Sequence, residues 1–206
     1  VAGMPEKRRA IIQAARLVFG RDGYSRASVD AIAAEAGVSK RTIYNHFDDK
    51  ADLFQSTALE GAVEVTQTIA ALMDRHLRKI VDLEEDLIAF SVDRAAAVAS
   101  AADHFALVRA IHAEAGRIPR PVLEAWQEAG PRGSNRHLAG YLRRIADQGL
   151  LAIDDEHEAA NYLTLLTFID IAHQRSFYGA IALPESEVTR LITHGVRAFL
   201  RLYRPE

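Results

Sequence analysis

Apolar residues recur at three- and four-residue spacing along nearly the whole chain, and no stretch sustains the every-second-residue alternation of β-branched side chains that a strand needs. That pattern confines the chain to helices, each packed through one apolar face. Ile11, Ile12, Ala15, Val18 and Phe19 share a face of a first helix that opens at Pro5 and closes at Asp22-Gly23. Ser28 caps a second helix with Val29, Ile32, Ala33 and Ala36 inward, Asp30 in its first turn and Gly37 as its stop. Ser39 caps a short third helix, Lys40 to about Phe47, with Ile43 and Phe47 inward. Asp49 and Asp52 open a long fourth helix through Leu53, Phe54, Leu59 and Val63.

Further on, Ile118-Pro119-Arg120-Pro121, Gly130-Pro131-Arg132-Gly133-Ser134, Gly149 and Leu183-Pro184 act as punctuation. Helices are expected between them near 82–101, 103–116, 121–129, 135–148, 156–179 and 184–203. The expected fold is all-α, with about nine to ten helices. A three-helix N-terminal domain, residues 1–50, precedes a larger helical domain, residues 51–206.

Composition narrows the function. The 206 residues contain no cysteine, which excludes a disulfide framework, a thiolate zinc site and a cysteine nucleophile. The longest uncharged alanine-rich run, between Arg94 and Asp103, is far short of the ~20 apolar residues of a membrane span. The first residues, Val1 to Arg9, lack the apolar core of a secretory signal, so a cytoplasmic protein with no membrane partner is expected. Charge is uneven. Residues 1–50 hold nine Lys/Arg and six Asp/Glu, net +3, and the remainder of the chain is net −6, as for a basic end that meets a polyanion.

Two short helices joined by Gly37-Val38-Ser39 are the sequence form of a helix-turn-helix. Ala33 and Ala36 are small where the helices must approach, and Val38, Ile43 and Phe47 pack the pair inward. The outward face of the third helix then reads Lys40, Arg41, Thr42, Tyr44, Asn45 and His46. Arg or Lys can bond guanine edges, Asn can bond adenine, and Thr or Tyr can hold phosphate or contact a thymine methyl. Such a helix suits a DNA major groove.

The run from Ala31 through Gly37-Val38-Ser39-Lys40-Arg41-Thr42-Ile43-Tyr44-Asn45-His46-Phe47 to Leu53 closely resembles the DNA-binding signature of TetR/AcrR-type bacterial transcriptional regulators. The resemblance covers about positions 8 to 56. It implies a homodimer with an N-terminal DNA-binding domain and a C-terminal domain for ligand binding and dimerisation, in most members a repressor released from a palindromic operator by a small molecule. It places Lys40, Arg41 and Tyr44 at base or phosphate contacts, with Thr42, His46 and Lys50 on the backbone. Ser28, Ser39 and Asn45 complete the expected DNA-binding set. Asp30 stands where some members carry a basic base-contacting residue. Glu128-Ala129-Gly130-Pro131, Leu138-Ala139 and Gly149-Leu150-Leu151 resemble a C-terminal domain found among regulators of efflux and stress genes.

Other chemistries find less support. The eight histidines include no pair at the i, i+4 spacing of a helical zinc motif, and no His-Glu-x-x-His occurs, so no metal is expected. Nucleophile elbow, phosphate loop and dinucleotide fingerprint are all missing, so neither an enzyme nor a cofactor is expected. Phe90, Phe105, Arg109, His112, Trp126, Tyr141, Tyr162, Phe168 and His173 mix aromatic area with isolated polar groups, as a pocket for a small apolar or aromatic ligand would; the same residues also suit a core. Leu166, Ile169, Phe177, Leu191, Gly195 and Phe199 lie on broad apolar faces of the last two helices and are the expected dimer interface. The alternatives are an activator, a ligand-independent regulator, or a helical small-molecule-binding protein or enzyme with a vestigial motif.

Overall fold

The computed structural model describes residues 4–169, 171–172 and 183–205. Among them the regular structure is helical: α1 Met4–Arg26, α2 Val29–Glu35, α3 Lys40–Tyr44, α4 Lys50–Leu77, α5 Leu83–Ser100, α6 Ala102–Ala113, α7 Arg120–Gln127, α8 Gly133–Asp147, α9 Glu156–Thr164 and α10 Glu185–Leu202. A 3-10 turn occupies Ala115–Arg117. Two π-helical segments, Glu128–Arg132 and Leu165–Ile169, continue α7 and α9. No described helix is long and apolar enough to cross a membrane.

The chain divides into two compact units. The first holds residues 1–65 and 101–130. Its core follows directly from the apolar periodicity: Ile11, Ala15, Val18 and Phe19 of α1, Ile32 of α2, Ile43 of α3, Leu53 and Phe54 of α4, and Leu107 and Ile111 of α6 are all almost fully buried. Each of the larger of these side chains contributes about 1.5–3 kcal/mol by leaving water. Phe54 meets Phe19 edge-on at 4.9 Å and Tyr24 at 4.8 Å, joining α1 to α4. Gly20 lets α1 close on α6, since a Cβ there would sit 3.1 Å from the Ala106 methyl.

The first helix breaks at Gly23, as expected: Gly23 takes a non-helical conformation with φ 80°, which favours glycine, and the span to Arg26 is a further short helical piece beyond that kink. The Glu114 carboxylate fills the space where a Gly23 Cβ would be, and it accepts bonds from the Ser25 N–H at 2.8 Å and from the Ser25 hydroxyl. Those bonds, the hydroxyl foremost, hold Glu114 below the usual carboxylate range. A distant residue thereby shapes the α1–α2 corner.

His104 of α6 is buried in the same unit. Its Nδ1 has no partner among the described residues and lies directly against Gly61 of α4. Burial, aided by the positive charge of Arg16, pushes its pKa down to about 4, so the ring is neutral at pH 7.

The second unit holds residues 66–100 and 131–206. Its core comes from Met73 of α4, Leu87 and Phe90 of α5, Leu138 and Leu142 of α8, Leu163 of α9, and Ile192, Val196 and Phe199 of α10. Within it α8 packs on α9, and α10 packs on α5 and on the π segment Leu165–Ile169. Gly195 makes the last contact possible, because a Cβ there would collide with the Leu166 carbonyl oxygen. Arg143 ties down the α8–α9 connection by donating to the Ile153 and Asp154 carbonyls and to Glu156 at 2.5 Å.

Candidate nucleic-acid interface

Each end of the helix pair is closed by the residue type the backbone requires. Ser28, in an extended conformation, accepts from the Ala31 N–H at 3.1 Å and starts α2. Gly37 then takes φ +63°, with its N–H donating to the Ala34 carbonyl and the Val38 N–H to that of Ala33. Ser39 accepts from the Thr42 N–H at 3.1 Å and pairs with the Thr42 hydroxyl at 2.8 Å, so α3 begins in a fixed direction. Regular α-helix ends at Tyr44 rather than Phe47, although the Asn45 and Phe47 N–H groups still bond to the carbonyls of Arg41 and Ile43.

Ile43 and Phe47, 1% and 3% exposed, root α3 in the core. Lys40, Arg41, Tyr44 and Asn45 are correspondingly thrown outward, and Thr42 and His46 are half-buried. Tyr44 is 47% exposed, unusual for a large aromatic ring, and Arg41 has no side-chain partner among the described residues. Lys40 is engaged: its Nζ donates to Asp30 Oδ2 at 2.9 Å, and that carboxylate holds the ammonium pKa above its ordinary value.

Lys50, expected to reach the DNA backbone, has structural partners as well. Its Nζ donates to the Ser25 carbonyl at 3.3 Å and lies 4.9 Å over the Tyr24 ring. Partial burial lowers its pKa, with Glu114 opposing. Other basic residues of the N-terminal segment are also paired within the unit, Arg8 with Glu60 at 2.5 Å and Arg16 with Glu64 at 3.0 Å. The exposed cationic character of the helix pair is therefore concentrated on Lys40 and Arg41. Ser28 and Ser39 are committed through their hydroxyls to capping.

The residues expected to line a pocket are divided between the units. Phe105, Arg109, His112 and Trp126 belong to the first, where the His112 and Trp126 rings meet edge-on at 5.7 Å and Arg109 is exposed. Phe90, Tyr141, Tyr162 and Phe168 belong to the second. There Phe90 is wholly buried, Tyr141 donates to Asp74 at 3.2 Å, and the 40%-exposed Tyr162 donates to Glu158 at 3.0 Å. His173 lies outside the described residues.

Of the expected interface residues, Leu166 is exposed, Ile169 and Leu191 are half-buried, and Phe177 lies outside the described residues. Gly195 and Phe199 turn inward. Phe199 is 0% exposed and packs within its own protomer against Tyr203, so it offers no surface to a partner. Val188, Ile192, Val196 and Phe199 of the α10 stripe are buried in the core of the chain's own second unit. Arg94, absent from the expected set, is buried in the second unit beside Phe168. Its sequence signal was an arginine followed by an unbroken run of small apolar residues, Ala95-Ala96-Ala97-Val98-Ala99.

Residues 11–57 match the pattern described as bacterial regulatory proteins, tetR family, and residues 85–205 match that of the AefR-like transcriptional repressor, C-terminal domain. The HTH-type transcriptional repressor BepR of Brucella suis is 47% identical over 51 residues, 25% of this chain and 24% of BepR. The HTH-type transcriptional repressor AcnR of Corynebacterium diphtheriae is 34% identical over 64 residues, 31% of this chain and 34% of AcnR. The chain thus matches only 24% and 34% of the length of these two curated relatives. Likeness to solved structures is longer. A crystal structure from Mesorhizobium loti, assigned to the TetR family, superposes with a TM-score of 0.88 at 30% identity, covering 98% of this chain and 99% of the other. The structure named Flavonoid-responsive Regulator FrrA superposes with a TM-score of 0.69 at 30% identity, with the same coverage.

Proposed function

The chain belongs to the TetR family of bacterial regulatory proteins, and from that premise we propose that it is a homodimeric repressor that binds a palindromic operator and is released by a small molecule. The family is one of transcriptional regulators rather than enzymes. Residues 1–50 serve as the DNA-binding part and residues 51–206 as the ligand-binding and dimerisation part, acting in the bacterial cytoplasm.

The observation that carries this reading is α3. A five-residue helix is held from beneath by Ile43, capped by Ser39, and presents Arg41, Tyr44 and Asn45 to solvent. Those side chains supply donors for guanine or adenine edges and a phenol for phosphate, with Lys40 alongside. Thr42 and His46, half-buried at its margins, position the helix against the DNA backbone.

A single such helix reads few bases. A dimer doubles the contacts by placing two of them about 34–36 Å apart. Exposed Leu165, Leu166 and Leu202, with half-buried Leu191, supply apolar surface for that pairing. BepR and AcnR are named as repressors, which supports repression over activation. FrrA is named as flavonoid-responsive, which supports an aromatic ligand. Release requires that ligand to bind the DNA-incompetent state more tightly, shifting α4 and the separation of the two reading helices.

Selection from a random duplex pool at fixed, near-physiological salt tests the proposal. A palindrome is expected, with enrichment lost in Arg41→Ala and Tyr44→Ala while both variants melt like the wild type. No enriched sequence, or enrichment indifferent to both substitutions, refutes it.

A further inference from the structure

Arg94 lies in the middle of α5, 8% exposed, in the second compact unit. Its polar contacts are few for a group with five N–H donors. Nη1 donates to the Thr164 hydroxyl at a long 3.3 Å, and Nε has no acceptor among the described residues. The neighbouring carboxylate in sequence, Asp93, is used elsewhere, by His76 at 2.8 Å and Arg75 at 3.7 Å. The nearby hydroxyls of Ser91 and Thr167 donate to the carbonyls of Leu87 and Leu163, one turn back on their own helices. Burial pulls the Arg94 pKa down to about 10, still leaving the side chain charged at pH 7.

A buried charge with no counter-charge carries a penalty of several kcal/mol, and no carboxylate pairs with Arg94 among the described residues. The surroundings suggest a use. The guanidinium carbon sits 4.4 Å over the Phe168 ring, and Nε on the guanidinium edge is left without an acceptor among the described residues. Thr164 ends α9, and Phe168 belongs to the π-helical segment that follows. Single π turns inside helices recur at functional sites. This one is held by close approach of α10 at Gly195.

We infer that Arg94 is the anion-recognising residue of a ligand site in the second unit, and that the small molecule it takes is an apolar monocarboxylate. The inference rests on the ligand-released regulator proposed above and deepens it. The planar guanidinium edge matches a carboxylate with two parallel N–H···O bonds. Phe168 and the buried apolar side chains of α5, Phe90 among them, suit the ligand's hydrocarbon part. A neutral ligand of the same shape would leave the buried cation uncompensated.

The test uses the full-length protein with matched probes: decanoate, naphthoate and cinnamate, each beside its neutral primary alcohol, read by thermal melting and by release from the selected operator. At least one carboxylate should raise Tm and weaken operator binding while its alcohol does neither. In Arg94→Met that carboxylate should bind about 10- to 100-fold more weakly, the value of a lost charged hydrogen bond. Unliganded Arg94→Met should melt at or above the wild type, because an apolar chain replaces a buried charge that no carboxylate pairs among the described residues. Arg78→Gln, which removes an exposed charge from the same unit, should keep the response.

The inference is overturned if the alcohols act like the carboxylates, if no probe raises Tm, or if Arg94→Met keeps the full response. A large fall in the melting temperature of unliganded Arg94→Met overturns it too, by showing Arg94 to be a packing residue. Failure of the regulatory reading is distinguishable: no operator would be selected, yet carboxylate stabilisation and its dependence on Arg94 would persist.

Discussion

Lys40 Nζ donates to Asp30 Oδ2 at 2.9 Å, so the first basic side chain of α3 is tied to a carboxylate on α2. Both groups are largely exposed, and the pair is worth little to stability. Its consequence falls on DNA. Approaching phosphates must compete with Asp30 for Lys40, and Asp30 itself repels them.

Asp30→Asn should therefore tighten binding to operator and to unrelated duplex alike, by a few-fold at low salt, and steepen the salt dependence by about one phosphate contact. Titrations at several salt concentrations measure both. An unchanged slope would place Asp30 and Lys40 away from the phosphate path.

The Ser39 cap predicts a split between stability and recognition. Ser39→Ala removes the acceptor for the Thr42 N–H and should cost about 1 kcal/mol, with weaker operator binding because α3 loses its fixed start. Ser39→Asp restores the cap and should recover the melting temperature, yet bind DNA more weakly still through its added negative charge. Thermal melts beside operator titrations separate the two effects.

His104 predicts an acid-sensitive fold. Its native pKa of about 4 lies below the ordinary histidine value, so the unfolded chain takes up a proton that the native state refuses. The stabilising contribution is fully present above about pH 6.5 and is lost as pH falls toward 4, amounting to about 3 kcal/mol. Unfolding free energy measured from pH 7 to 4 should thus fall less steeply in His104→Leu than in the wild type. Parallel curves would show that the ring is protonated in the native state.

Two glycines should respond to the same substitution with opposite signs. Gly195→Ala drives a methyl into the Leu166 carbonyl oxygen and should cost about 1–3 kcal/mol. Gly140, exposed on α8 with open space around it, should gain about 0.5–1 kcal/mol on replacement by alanine. Denaturant midpoints of the two variants check the pair.

Helix spans, caps and the helix-turn-helix were legible in the sequence because they depend on residues three or four positions apart. The expected helices near 82–101, 135–148 and 184–203 correspond to α5, α8 and α10 within two residues at each end. Ser28 and Ser39 cap as expected, and Gly37 takes its positive φ. The outward face of α3 follows from burying Ile43, since a helix that turns one side in must turn the other out.

Sequence says less where the outcome depends on distant partners. Lys50 is drawn to the Ser25 carbonyl and the Tyr24 ring, and Phe199 of α10 is buried in the core of its own unit. No local pattern announces the π turns. The isolation of Arg94 was equally invisible, because it rests on Thr164, seventy residues away, being its sole hydrogen-bond partner among the described residues. The sequence by itself determined which segments are helical and which face of α3 meets solvent, because periodicity and capping are short-range. Tertiary structure alone decided which charges are spent on neighbouring carboxylates and which is buried with none among the described residues, because that depends on which groups folding brings within hydrogen-bonding reach.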